Sequence, residues 1–121
     1  MYALNINYLK EYAQRYQVIP VLLQGCWIPS IVGVYRKWRK KILSHETVVV
    51  RLHGANRTDI EKRTGKRWDS IVAPMDNELV DIADLVRDLV DNGVNVYLNA
   101  NNHYEGSAPL TIKRLSSQLD L

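Results

Sequence analysis

Strand-like and helix-like segments alternate along this chain, and their order constrains the fold more than any other feature. Runs rich in apolar residues lie at 18–23, 47–52 and 94–98, with amphipathic segments between and after them. Continuous apolar runs of strand length suit parallel sheets that are covered on both faces. Strands that alternate with helices are joined by right-handed crossovers. We therefore expect a single α/β domain over residues 1–121, built from parallel β–α units.

Apolar residues at helical spacing predict four helices. Their stripes lie within residues 7–16, 31–42, 79–90 and 108–119. Asp76 is expected to cap the third helix, and Ser107 the fourth, because short polar side chains accept hydrogen bonds from the first free N–H groups. Pro20 cannot donate to a sheet ladder, so the first strand is expected to be marginal or to lie at an edge.

Two connections between these elements carry most of the remaining polar residues. Residues 54–75 are too long for an ordinary loop after a strand, and a short helical turn around Asp59–Arg63, closed by Gly65, is expected inside them. Residues 99–106 are expected to be a loop.

Composition narrows the class of protein. The chain has 121 residues, of which 46% are hydrophobic and 24% charged, and this suits one folded core. The single cysteine, Cys26, excludes an internal disulfide and favours a reducing cytoplasm. The first residues lack the basic start and apolar run of a signal peptide. No apolar stretch reaches the roughly 18–20 residues of a membrane span, so no membrane association is expected.

Positive charge is concentrated in the middle of the chain. Residues 36–67 hold eleven Lys and Arg against three Asp and Glu, a net +8, whereas the remainder carries a net −5. A basic segment on an acidic background suggests an anionic partner, such as nucleic acid. The alternative is a solvated helix face followed by a loop.

Polar residues follow the second and third predicted strands at their carboxyl ends, the edge at which parallel α/β folds bind ligands. Neighbouring strands lie about 4.8 Å apart, so both groups could face one ligand. Arg51 could hold a phosphate or carboxylate with its guanidinium group, and a helix start near Ser107 offers backbone N–H groups to an anion. The residues expected to bind a ligand are Arg51, His53, Gly54, Asn99, Asn101, Asn102, Gly106 and Ser107.

His53 and His103 are the candidates for catalysis, because imidazole exchanges protons near neutral pH. With Glu105 they could also ligate a metal, but the sequence shows no third or fourth ligand, so no metal is assigned and the cofactor stays unknown. Phosphate-binding glycine loops, dinucleotide fingerprints and nucleophile elbows are missing from the sequence. In the structural alternative, Arg51 pairs with a core carboxylate and the Asn-rich loop only serves to turn the chain.

Two sequence motifs follow the second and third predicted strands: VVVRLHG at 48–54 and VYLNANNHYEGSAP at 96–109. Together they resemble the YecE-like family, domain of unknown function 72, and the resemblance is best over residues 44–119. It implies the C-terminal part of a TIM-like (β/α)8 barrel that is incomplete in this chain. Its motif positions match Arg51, His53, Asn101 and Asn102, which it marks as site candidates. It implies no established reaction.

Three strands cannot close a barrel, so the missing strands are expected from a homo-oligomer or a companion chain. The predicted function is to hold an anionic, phosphate-bearing ligand at the strand ends, without catalysis by this chain alone. The second interpretation is part of an enzyme that processes phosphoesters or nucleic acid and is completed by another chain. The third is a nucleic-acid-binding module that uses the basic segment 36–67.

Overall fold

The computed structural model describes residues 19–25, 27–54 and 56–121 of the chain. The helix predicted over residues 7–16 lies outside this described part. The elements are β1 (Val21–Gln24), α1 (Ile31–Ile42), β2 (Thr47–Leu52), α2 (Arg57–Thr64), α3 (Asp76–Asp91), β3 (Asn95–Ala100), α4 (Asn102–Glu105) and α5 (Ala108–Gln118).

The three strands form one parallel sheet in the order β1-β2-β3. The predicted α/β class and the parallel β–α units are therefore confirmed. β1 begins directly after Pro20 and is an outer strand of the described sheet, so Pro20 occupies no position within the strand. The Pro20 carbonyl still accepts a hydrogen bond from the N–H of Val49.

Only one face of the sheet is covered by the described part of the chain. The covered face carries Leu22, Val48, Val50 and Leu52, which pack with apolar residues of α1, α3 and α5 in one core. The opposite face exposes Val21, Leu23 and, at 65% exposure, Tyr97. The apolar runs predict strands covered on both faces. The described residues instead leave an open, partly apolar face.

The N-terminus of α3 differs from the prediction. The helix begins at Asp76 and its N-cap is Met75, so Asp76 is not the cap. The Asp76 carboxylate forms an ion pair with Arg114 of α5 instead. The Met75 N–H is satisfied by the carboxylate of Glu105, at 2.9 Å. A tertiary contact therefore replaces the local cap.

The two connections are more ordered than the sequence indicated. The turn expected around Asp59–Arg63 is the helix α2, capped by the Asn56 side chain and ended by Gly65 in the left-handed region. The expected loop over 99–106 contains the end of β3 and the short helix α4. These elements bring the chain segments after β2 and β3 together, since α2 packs against α4.

The cap predicted at Ser107 is confirmed, because its side chain accepts a hydrogen bond from the N–H of Leu110. Leu115 of α5 is buried as expected, whereas Ala108, Ile112 and Leu119 are only half-buried. Thr111 is fully buried in their place. Its hydroxyl donates to Glu105, which offsets the cost of burying a polar side chain. Among the described residues, no helix has the length and apolarity needed to cross a membrane.

Candidate functional site

The carboxyl ends of the three strands are joined by backbone hydrogen bonds. The His53 N–H donates to the Gln24 carbonyl at 2.8 Å, which joins the ends of β1 and β2. The Asn101 N–H donates to the Leu52 carbonyl at 2.9 Å, which joins the ends of β2 and β3. The two polar clusters that follow β2 and β3 therefore lie at one edge of the sheet.

Arg51 and Asn99 are register partners on neighbouring strands, and both are exposed on the open face of the sheet. Leu23 is the partner of Arg51 on the other side. Arg51 forms no hydrogen bond or ion pair with the rest of the described chain, so it is not the partner of a core carboxylate there. Its guanidinium therefore has no hydrogen-bond acceptor among the described residues.

Gly54 brings the end of β2 against the backbone of His103. A Cβ atom added at Gly54 would overlap the His103 carbonyl group and the His103 Cβ. Only glycine allows the two chain segments to approach this closely. Its contribution at this edge is therefore steric.

His103 is held in place from both sides of its ring. Nδ1 lies 2.7 Å from the Asn101 side-chain oxygen and Nε2 lies 3.3 Å from a carboxylate oxygen of Glu61. The pKa of Glu61 is lowered, first by its hydrogen bond with Arg57 and then by that with His103. The ring of Trp68 meets the imidazole edge-on, with centroids 4.8 Å apart. Both ring nitrogens of His103 are therefore engaged within the chain.

His53 differs from His103 in that its ring keeps an unused polar atom. Its Nε2 is buried and has no hydrogen-bond partner within the described residues. A buried polar atom without a partner usually costs free energy, about 1–3 kcal/mol. His53 lies beside Gly25, where an added Cβ atom would be 3.4 Å from the His53 Cβ. Of the two histidines, His53 is the one with a nitrogen free for a ligand.

The remaining predicted ligands have structural contacts. The Asn101 side chain caps α4, and the Asn102 side-chain oxygen accepts from the Ala108 N–H at 2.8 Å. Gly106 has a φ of +119°, and a Cβ there would lie 2.6 Å from the Ser70 carbonyl oxygen. Ser107 caps α5 through the N–H of Leu110.

These contacts bear on the anion site expected at the start of α5. The Ala108 N–H is bonded to Asn102, Pro109 has no N–H, and the Leu110 N–H is bonded to Ser107. The first turn therefore offers no free donor. An anion site at this edge of the sheet depends on the side chains of the strands.

Glu105 is fully buried and belongs to the support of the edge. Its two carboxylate oxygens accept from Thr111, from the Met75 N–H and from Arg114. Its backbone carbonyl accepts from the N–H groups of Val72 and Ala73. Its carboxylate is thus fully coordinated by the chain. Across the described ranges, no three His, Cys, Asp or Glu side chains are grouped as metal ligands.

Sequence reasoning missed two exposed aromatic residues near this edge. Tyr97 lies on the open face as the register partner of Val49, two residues before Asn99 in β3. The alternation of Asn95, Tyr97 and Asn99 with apolar residues is the signal that could have revealed it. Trp27, in the segment after β1, is 97% exposed and has a φ of +66°. No sequence pattern indicated its exposure.

The fold and the strand edge define an α/β protein with a parallel sheet and a candidate ligand site at the carboxyl ends of its strands. A family model described as "Protein of unknown function DUF72" matches residues 5–121. The chain therefore belongs to this family, and the match includes the first third of the chain as well as residues 44–119. The resemblance inferred from the two strand-end motifs is confirmed. Comparisons with curated proteins and with solved structures give no match.

Proposed function

We propose that this chain supplies the carboxyl-edge site of an α/β barrel and binds a phosphate-bearing anion there. Arg51 is the anchor, Asn99 orients the ligand, and His53 contributes its free ring nitrogen. The chain holds the ligand and does not catalyse a reaction by itself. A reducing cytoplasm is the expected location, since the sequence has one cysteine and no pair for a disulfide.

The observation that carries this proposal is the state of Arg51. An exposed guanidinium on a sheet face, with no carboxylate bound to it in the described chain, keeps all five of its donors. Its planar fork matches the oxygens of phosphate or carboxylate. Asn99, one strand away at the same level, adds an amide donor at a cross-strand distance of about 5 Å. The pair can bind two oxygens of one anion.

His53 supports the same ligand from the strand end. It lies two residues after Arg51 and directly follows the end of β2. Its buried, unpartnered Nε2 can donate to or accept from a ligand oxygen. A ligand that satisfies this atom would remove the cost of leaving it unpaired.

The arrangement of side chains on the open sheet face supports the proposal that this chain is part of a barrel. Val21 and Tyr97 flank Val49 at one level, and Leu23 and Asn99 flank Arg51 at the next level toward the carboxyl edge. Layers of side chains on one face of a parallel sheet fill the interior of a (β/α)8 barrel. The remaining strands would come from further copies or from a companion chain, and they would cover both edges of the sheet.

An enzyme of phosphoester or nucleic-acid chemistry, completed by another chain, is the second candidate. The observation that favours it is again His53, the histidine whose ring nitrogen is not bound within the described chain. A general acid or base must reach the proton that it transfers, and His103 is already bound on both sides. In this interpretation His53 is the proton-transfer residue and Arg51 stabilises the phosphate charge.

The test is calorimetric titration of the protein with inorganic phosphate, comparing the wild type with two arginine variants. Arg51→Gln removes the proposed anchor. Arg87→Gln removes the same charge from α3, on the covered side of the sheet and outside α1. Loss of a charge-assisted hydrogen-bond pair is expected to weaken phosphate binding about 10- to 100-fold in Arg51→Gln only. Equal binding by the wild type and Arg51→Gln would refute the proposal.

A further inference from the structure

The exposed side of helix α1 carries cations without carboxylate partners. Four of its residues, Arg36, Lys37, Lys40 and Lys41, form no ion pair within the described chain. Arg39 differs, because it binds Asp88 of α3 through two hydrogen bonds of 2.7 and 2.9 Å. The four free cations are called the α1 cation row below.

The arrangement of the α1 cation row goes beyond what the helix itself needs. The helix contains no acidic residue, and Arg36–Lys40 and Lys37–Lys41 are like-charge pairs at a spacing of four residues. Such pairs destabilise a helix. The helix dipole favours cations in the last turn, which explains Lys40 and Lys41 but not Arg36 or Lys37. An anionic ligand would relieve this repulsion.

Trp38 positions two members of the row. The ammonium groups of Lys37 and Lys41 lie 5.2 and 5.5 Å from the centroid of its ring. These cation–π contacts keep both ammonium groups on one side of the helix. Because four residues advance about 6 Å along a helix, the row presents charge at regular intervals.

We infer that the α1 cation row binds the phosphate backbone of a nucleic acid. This surface is separate from the proposed anion site, since α1 packs against the covered face of the sheet and Arg51 lies on the other. A protein partner would need an apolar centre to its interface, and a membrane would need apolar residues for insertion. No large apolar side chain of α1 is exposed. The regularly spaced phosphates of a nucleic acid can bind the α1 cation row without any apolar contact.

The nucleic-acid-binding region predicted over residues 36–67 is thereby narrowed to helix α1. Beyond α1, most of its arginines are paired: Arg57 with Glu61, Arg63 with Asp59, and Arg67 with Asp69. The lysines Lys62 and Lys66 of this second part are exposed and provide a matched control. Their removal changes the net charge equally without touching α1.

The experiment measures binding of fluorescently labelled oligothymidylate, oligouridylate and a DNA duplex by anisotropy over a series of salt concentrations. The variants are the double Lys37→Gln/Lys40→Gln and the control double Lys62→Gln/Lys66→Gln. Each phosphate contact contributes about 0.7 to the slope of log K against log salt for single strands, and about 0.9 for duplex DNA. We expect the α1 double to lower the slope by about 1.4 for the single strands and about 1.8 for the duplex, and to weaken binding roughly tenfold at low salt.

The control double is expected to keep the wild-type slope. Which of the three probes binds best identifies the source of the phosphate backbone. The inference is overturned if the wild type binds none of the probes at low salt, or if both doubles lower the slope equally. Vesicles of anionic lipid are titrated as a fourth probe, and binding to the vesicles alone also overturns the inference. None of these outcomes alters the phosphate titration of Arg51→Gln, so the two proposals fail separately.

Discussion

Gly54 contacts the backbone of His103 so closely that no side chain fits at position 54. This contact holds the residues after β2 against those after β3, at the edge where Arg51 and Asn99 are exposed. The glycine predicted among the ligand-binding residues therefore has a clear steric role. The geometry of the candidate site depends on it.

Gly54→Ala is expected to destabilise the fold by about 3 kcal/mol, because the added methyl group forces the two strand ends apart. Chemical denaturation would measure the change. The matched control is Gly33→Ala within α1, where an added Cβ meets no atom within 4 Å. That variant should gain about 0.5–1 kcal/mol from helix propensity. Equal effects at both positions would contradict the close contact.

Glu105→Ala is expected to cost about 3 kcal/mol, because it leaves the Met75 N–H and the buried Thr111 hydroxyl without their acceptor and removes one of the two carboxylates bound by Arg114. Glu46→Ala, at an exposed position, should change stability by less than about 0.5 kcal/mol. Urea denaturation of the two variants and the wild type would measure both changes in the free energy of unfolding. If Glu105→Ala is as mild as Glu46→Ala, the buried carboxylate does not support the start of α3.

Stability should fall in acid through Asp88. Arg39, and secondarily the Tyr35 hydroxyl at 2.6 Å, lower the pKa of this carboxyl from 3.8 to about 2. The folded state therefore prefers the ionised form. Its stabilisation is complete above pH 3.8 and is lost as the pH falls toward about 2.

Asp88→Asn is expected to remove that part of the pH dependence and to cost about 1 kcal/mol near neutral pH, since the pair is partly screened by solvent. Thermal unfolding followed across this pH range would measure it. The control is Asp84→Asn on the same helix; Asp84 pairs with Arg87, which is also exposed. This variant should keep nearly the same loss of stability in acid as the wild type. If Asp88→Asn loses as much stability in acid as the wild type, Asp88 is not the cause of that loss.

Tyr97→Lys tests whether other strands cover the open sheet face. If further copies or a companion chain pack on this face, a charge at position 97 should dissociate the assembly. Size-exclusion chromatography with light scattering would show the loss. Val90→Lys, at a 55% exposed position on α3, should not change the mass. A monomeric, stably folded wild type would oppose the barrel proposal.

The fold was largely predictable from local patterns. β2 was placed at its observed bounds, since β-branched residues dominate it, and the helical stripe of α1 matches the observed helix. The cap of α3 was missed because its donor is satisfied by Glu105, thirty positions away in the sequence. No local pattern reveals a partner at that distance.

The sequence predicted that the two polar clusters meet at one edge of the sheet, but it did not predict what each of their residues does. The strand ends do meet, since parallel strands bring their carboxyl ends to one edge. Asn102 and Ser107, however, satisfy backbone N–H groups at the start of α5. Sequence patterns cannot separate an asparagine that binds a ligand from one that caps a helix, because both uses need the same polar side chain.

The central claim is that an anion binds at Arg51, and nuclear magnetic resonance during titration with inorganic phosphate tests it most directly. The account predicts shifts of the Arg51 side-chain N–H and of the amide signals of His53 and Asn99, which saturate together and vanish in Arg51→Gln. It would be contradicted by shifts confined to α1, or by no shift at the strand ends at saturating phosphate.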